Sequence, residues 1–358
     1  MNNIPTQPAF SRFASVLRRT GRKPFVRGGT AAAVVAQPPQ DVLHPAGVQA
    51  AHILHLWNLT LVVCGIVFAG VLVATLVALA RNRRGVVRGP PDMSTVNTPE
   101  RRTRRVVVSL SVLSSVVLVG LVVADVMTDR ALSMLPVVRP VHIKLTGAQF
   151  WWRADYPAEG GSPGFTTANE LHVPVGRPVI VSLNTVDVIH SFWVPNLHGK
   201  KDMLPGIVST IEFRADRAGV YRGQCAQFCG AEHALMAMRV VAEPEHAYAA
   251  WRAQQAKPAA AVADADALAL RGRQVFEQAS CAGCHTVRGT SASGTTAPDL
   301  THLMSRTTLA AGVLANTPAN LAAWIRNPQA VKPGTPMPAV PLTDADRDAL
   351  VNWLATLQ

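Results

Sequence analysis

Charge is scarce in this 358-residue chain: 16% of its residues are Asp, Glu, Lys or Arg, against 49% hydrophobic. That balance argues against an ordinary soluble enzyme and toward a membrane component. Cysteine is sparse too. Cys64 lies inside an apolar run, and the other four form two close pairs, Cys225 with Cys229 and Cys281 with Cys284. If both pairs hold cofactors, no thiol is left for a structural disulfide, so the compartment has to be argued from topology. Proline and glycine, 26 and 25 residues, stay near average usage, which excludes wholesale disorder. Acidic residues are missing from the first 40 positions, which carry six basic ones. The formal charge of +12 invites a nucleic-acid reading, but its distribution opposes one. Residues 1–49 carry +5 and 50–129 carry +4, whereas 130–253 carry +2 and 254–358 only +1. An excess at the N-terminus and around apolar runs is a membrane-topology signal, and no nucleic-acid partner is expected.

Two segments, residues 56–80 and 106–124, contain no charge over 25 and 19 positions. Each meets the roughly 20-residue length of a helix that crosses a hydrocarbon core. Between them, eight arginines stand against Asp92 and Glu100. The positive-inside rule makes this loop cytoplasmic and puts everything after residue 130 on the outer face. The chain therefore divides into a basic tail or signal segment at 1–49, a transmembrane hairpin at 50–129 and a large outer portion. Residues 28–36 fit either a weak signal core cleaved near Ala36 or part of a basic tail.

From residue 130 to 255 the pattern changes to short β-rich runs, at 141–145, 171–175, 178–184, 209–214 and 238–241, with turn residues between them. That spacing indicates a sandwich or barrel. Within it, Cys225, Cys229, His233 and Met236 form C-x3-C-x3-H-x2-M. Thiolate and thioether sulfurs are soft ligands suited to copper, and imidazole fits copper equally well. A mononuclear blue-copper loop needs one cysteine, whereas two thiolates four residues apart can bridge two ions. Zinc or a disulfide competes for the cysteine pair taken alone.

The hairpin, the segment DVIHSFWVP and this loop together resemble subunit II of cytochrome c oxidase over roughly residues 45–255. The resemblance implies a cupredoxin-like β-barrel holding the binuclear copper centre CuA. Its ligands would be His190, Cys225, Cys229, His233, Met236 and the backbone carbonyl of Gln227. Where the family commonly has a glutamate that also contacts magnesium, Gln227 supplies an amide, a weaker magnesium ligand. The family's electron-receiving aromatic patch corresponds to Phe150, Trp151 and Trp152, with Phe150 where many members place tryptophan. His142, His172, His198 and His246 fit no ligand spacing and read as surface or structural, and Met203 and Met238 as packing residues.

An Ala/Pro-rich linker is expected at 256–267, and a flexible chain of that length reaches about 20 Å. Residues 268–358 then hold Cys281, Cys284 and His285 in C-x-x-C-H, the signature of covalent c-type haem attachment. A thioredoxin-like CxxC and a zinc site are the competing readings of the spacing. A helix before the motif should turn Leu268, Gly272, Val275 and Phe276 inward, capped by Asp264 or Asp266. A last helix capped by Thr343 should bury Ala349, Leu350, Trp353, Leu354 and Leu357. Met337, bracketed by prolines, is placed to meet an iron, with Met304 as the competing ligand and His302 a weaker one. The segment resembles an all-α class I cytochrome c domain with His285 proximal and Met337 distal.

No second haem motif and no set of three histidines is present to activate oxygen, so the chain carries electrons and does not complete the chemistry. The joint resemblance is to subunit II of a cytochrome-c-fused, caa3-type terminal oxidase in a bacterial inner membrane, with its copper and haem domains periplasmic. It implies oxidase subunit I (bearing haem and CuB) and subunit III as partners, and cytochrome c or a bc1-type complex as donor. Two other readings stay open at this point: the small subunit of a CuA-containing nitric oxide reductase, and a free-standing membrane-anchored electron carrier.

Overall fold

The computed structural model describes residues 40–82, 100–134 and 138–358. Residues 1–39 of the tail or signal segment expected at 1–49, and most of the arginine loop, residues 83–99, lie outside the described residues. Helices α1 (Val48–Asn82) and α2 (Arg101–Ser133) run 35 and 33 residues, longer than the charge-free runs inside them. At about 1.5 Å per residue each exceeds the roughly 30 Å of a hydrocarbon core. The added turns are the polar ends. Arg101, Arg102, Arg104 and Arg105, expected in the loop, instead open α2. The most apolar stretch of each helix is wholly unburied, and the two helices contact each other.

The first turn of α1 is socketed in the β domain. The amides of Ala46 and Gly47 donate to the Asn196 carbonyl, and that of Ala50 to the Leu197 carbonyl. These bonds satisfy donors that a helix start leaves orphaned. Ala46, Gln49 and Ala50 are buried there.

The β domain is a two-sheet sandwich. One sheet contains β1 (Val141–Ala148), β2 (Trp151–Tyr156), β3 (Phe165–Ala168), β5 (Val179–Thr185) and β8 (Ser209–Phe213), in the order β3-β2-β1-β5-β8. The other is β4 (Glu170–Pro174), β10 (Ala237–Glu243) and β9 (Gly219–Gln224), in the order β4-β10-β9. β1 runs parallel to β5 and β4 parallel to β10; the other pairs are antiparallel. β2 and β5 bury alternate residues, as strands do when one face meets a core. Ile143, Leu145, Trp152, Val181, Leu183 and Phe213 fill the space between the sheets. A ribbon of β6 (His190–Phe192) and β7 (Lys201–Met203) carries His190 at its start. All five expected strands are present, in a cupredoxin-like arrangement. Helix α3 (Glu245–Gln255) closes the domain by stacking Trp251 on His172, ring centroids 4.1 Å apart.

The linker is not a free tether. Arg288 donates to the carbonyls of Gln255 and Ala256 at 2.5 and 3.1 Å, and the Ala259 amide donates to the Arg288 carbonyl at 2.8 Å. Ala259 and Val262 pack on the core of the last domain. That domain comprises α4 (Ala267–Gln278), α5 (Cys281–Cys284), α6 (Pro318–Arg326), α7 (Pro328–Val331) and α8 (Asp344–Leu354). A two-residue ribbon, β11 (Thr308–Leu309) with β12 (Leu314–Ala315), interrupts the expected all-α pattern. Asp266 caps α4 through the Ala269 amide, and Thr343 caps α8 through that of Asp346. One expected core position is corrected: Leu268 is 49% exposed, and Ala269 takes the inner place. α4 crosses α8 so closely that a Cβ on Gly272 would lie 2.0 Å from the Ala349 carbonyl oxygen. Small residues three apart, Ala269 and Gly272, suit that crossing.

Candidate metal centres

Six copper-type donors converge at one end of the sandwich. The Cys225 and Cys229 sulfurs lie 3.9 Å apart. Cys225 Sγ has His190 Nδ1 at 3.8 Å and the Gln227 carbonyl oxygen at 3.2 Å. Cys229 Sγ has His233 Nδ1 at 3.7 Å and Met236 Sδ at 3.9 Å. Each sulfur is thus flanked by one imidazole and one weaker donor, around a shared sulfur pair. Six donors in two sets exceed what one tetrahedral zinc takes. Both cysteines, His190 and Met236 are buried.

Protonation agrees with a cation-binding role. The Cys229 sulfhydryl, with His190 and backbone groups, holds Cys225 far below the usual thiol range, although burial opposes this. Cys225 and burial push Cys229 up. Two buried thiols in contact therefore keep one proton between them, and metal ions on the pair would let both ionise.

The surroundings fix these ligands. His190 Nε2 meets Asp187 Oδ1 at 2.8 Å, which leaves Nδ1 for a metal. Asp187 Oδ2 accepts from the Gln149 amide at 2.6 Å, and Gln149 Nε2 donates to the Cys229 carbonyl at 2.6 Å. A Cβ on Gly147 would come within 2.8 Å of the His190 ring, so glycine makes room for the imidazole.

The second centre is a cavity of about 500 Å³ in which Cys281, Cys284, His285 and Met337 meet. Phe276, Leu300, Leu303, Trp324, Leu350 and Leu354 give it apolar walls, as a haem requires. His285 Nδ1 bonds the Pro298 carbonyl at 2.7 Å, freeing Nε2 as a ligand, and burial lowers the pKa of the ring and keeps it neutral. Met304 is not in this cavity; it packs on the domain core, with its amide on the Leu357 carbonyl. Both ring nitrogens of His302 face carbonyls, of Gln358 and Lys257, which leaves neither for iron. The donor set fits a haem held by His285 and Met337.

The two centres share a wall. Ala148, Gln149, Phe150, Trp151, Val186 and Asp187 of the β domain line the haem-type cavity. Phe150 is 6% exposed and Trp152 fully buried with its ring 6.1 Å from that of His190, while Trp151 is half-buried. Lys332 reaches across the seam to the carbonyls of Phe150 and Leu235. Asp187, Gln149, Gly147 and Lys332 were not singled out from sequence. Asp187 stands three residues before His190, but nothing local signals the others. Of the remaining histidines, His142 and His246 are exposed, His172 stacks on Trp251, and burial pulls His198 down to about 4. Met203 and Met238 are core residues.

Comparison with known proteins places residues 153–243 on the family model of the cytochrome c oxidase subunit II periplasmic domain, and residues 269–358 on that of cytochrome c. A cytochrome c oxidase subunit 2 from Alkalihalophilus pseudofirmus is 45% identical over 220 residues, 61% of either chain. Its counterpart from Bacillus subtilis is 32% identical over 220 residues, covering 58% of this chain and 60% of that one. The chain thus spans about three-fifths of the length of these curated relatives. The solved periplasmic domain of cytochrome oxidase subunit II from Bradyrhizobium japonicum is 30% identical, with a TM-score of 0.31, covering 34% of this chain and 96% of that one.

Proposed function

We propose that this chain is the electron-receiving subunit of a caa3-type haem-copper oxidase, since residues 153–243 match the family model of the cytochrome c oxidase subunit II periplasmic domain and residues 269–358 that of cytochrome c. Cys225 and Cys229 would bridge two coppers as a CuA centre, with His190, His233, Met236 and the Gln227 carbonyl completing it. Cys281 and Cys284 would carry one covalent haem c, with His285 and Met337 as axial ligands. Bound there, the metals supply one-electron chemistry; the protein supplies soft ligands, dry walls and a fixed separation. The proposal assigns no magnesium, since Gln227 offers an amide.

The observation that carries this reading is the shared wall. Residues 148–151 and Asp187 line the haem-type cavity, and two of them also reach the copper-type donors: Asp187 bonds His190, and Gln149 bonds the Cys229 carbonyl and Asp187. A haem held there by His285 and Met337 would supply an intramolecular donor to the copper centre, which fits a phenylalanine at position 150. Among the described residues, His190, Cys225 and Cys229 bring three ligand atoms within 4.8 Å of one another. By its likeness to oxidase subunit II, its partners would be subunit I, which would reduce oxygen with its haem and CuB, and subunit III. Cytochrome c or a bc1-type complex would feed the haem, at the periplasmic face of a bacterial inner membrane.

The test is purification of the full chain from native membranes. A large haem- and copper-bearing subunit should co-purify, and the complex should consume oxygen with reduced cytochrome c. The chain itself should hold two coppers per haem c, with a seven-line copper hyperfine pattern. Isolation without a catalytic partner, or nitric oxide uptake without oxygen uptake, would overturn the proposal.

A further inference from the structure

Lys332 is the one lysine among the described buried residues, at 2% exposure. It follows α7 in the cytochrome domain and precedes Met337 by five positions. Its ammonium donates to the carbonyls of Phe150 at 2.7 Å, Leu235 at 2.9 Å and Ala310 at 3.4 Å. Lysine has three donors and no acceptor, so all its hydrogens have carbonyls to meet. Two of those carbonyls belong to the copper domain. Leu235 precedes the ligand Met236, and Phe150 follows Gln149, whose side chain holds the Cys229 carbonyl. The Glu232 carboxylate also attracts the ammonium, though burial outweighs it.

An apolar side chain could fill this gap without stripping water from a charge. What the ammonium adds is direction and sign. We infer that Lys332 is a positioning residue, which pins the rim of the haem cavity to the copper-ligand loop and sets a positive charge against that loop at Leu235, next to Met236. The inference rests on the electron-transfer reading above. Electron tunnelling falls off exponentially with separation, so looseness at this seam would slow transfer between the two centres. A nearby positive charge stabilises the reduced form of a metal centre, and its loss lowers the reduction potential.

Other bonds hold the seam and should keep a Lys332 variant folded and docked. The Ala237 amide donates to the Ala311 carbonyl at 3.1 Å, Thr307 donates to Glu170, and Arg239 donates to Thr307 at 2.8 Å.

The experiment uses the full chain in its complex, loaded with copper and haem. Lys332→Met removes charge and donors at similar length; Lys332→Gln keeps a polar head without the charge and is the second variant should the first fail to load. Haem and copper spectra should stay as in the wild type. Haem-to-copper transfer after photoreduction of the haem should slow by about tenfold or more, and the copper potential should fall in both variants. A wild-type rate and an unshifted copper potential in a loaded variant would overturn the role of Lys332. Absence of haem-to-copper transfer in the wild type would instead overturn the electron-transfer reading itself.

Discussion

Gly272→Ala is a severe test of how the haem domain is built. In the native crossing of α4 and α8, a Cβ at position 272 would sit 2.0 Å from the Ala349 carbonyl oxygen, 2.6 Å from its carbon and 2.8 Å from Trp353 Cβ. Ordinary contact begins at 3.4 Å, so the helices would have to separate by about 1.4 Å. Two of the three atoms met are backbone and cannot rotate aside. The separation would open the packing of Phe276 on Trp353, now 5.2 Å between ring centroids, and shift Leu350 and Leu354, which wall the haem cavity. Overpacking of a core costs about 1–3 kcal/mol, and a backbone collision belongs at the top of that range or above it. Alanine's better helix propensity returns about 1 kcal/mol. A net loss of about 2 kcal/mol lowers the melting temperature of a domain this size by about 10–15 °C. Thermal unfolding followed at the haem band should show this, with the copper band as the internal control. An unchanged haem-domain transition would refute the close crossing.

Three further outcomes follow from the geometry. Met337→Ala should lower the haem potential and abolish the near-infrared sulfur-to-iron band while sparing copper; Met304→Ala should do neither, and the opposite result would reassign the ligand. Gly147→Ala should push a Cβ into the His190 ring, which lies 2.8 Å from that position, and weaken or distort the copper signal while leaving the haem spectrum intact; an unaltered copper spectrum would count against the placement of His190. Burial pulls Lys332 from 10.5 down to about 8. Between those values the unfolded chain binds a proton that the folded chain has released, so stability rises with pH. The penalty is full below about pH 8 and relieved toward pH 10.5, about 3 kcal/mol in all. Denaturant unfolding of wild type against Lys332→Met across that window should show the difference changing accordingly, and parallel profiles would argue against it.

Local signals were enough for much of this molecule. Absence of charge over residues 56–80 and 106–124 identifies helices that lipid can surround, because the hydrocarbon core tolerates no unpaired polar group. The helix ends were less legible: the arginines opening α2 read as loop because charge counting cannot see backbone hydrogen bonds. The proposed ligand residues were legible because metals demand particular atoms at short spacing, as in Cys225-x3-Cys229-x3-His233-x2-Met236 and Cys281-x2-Cys284-His285. Proline brackets likewise marked Met337 over Met304.

The parts the sequence left hidden all depend on contacts between distant segments. Leu268 faces out and Ala269 in because the closeness of α8, some eighty residues later, decides what fits against α4. The stretch 256–259 reads as flexible from its alanines, yet Arg288 and His302 bind its carbonyls. His190 is legible as a ligand only beside its family, since it lies 35 positions before Cys225 and nothing local ties them. Composition and spacing by themselves determined the spans, the soft ligand loop and the haem motif, because each is a property of neighbours along the chain. Only the tertiary structure decided that the copper domain walls the haem cavity and that a buried lysine crosses between them. Burial and hydrogen-bond satisfaction are set by whatever the fold brings alongside, and no single segment contains that information.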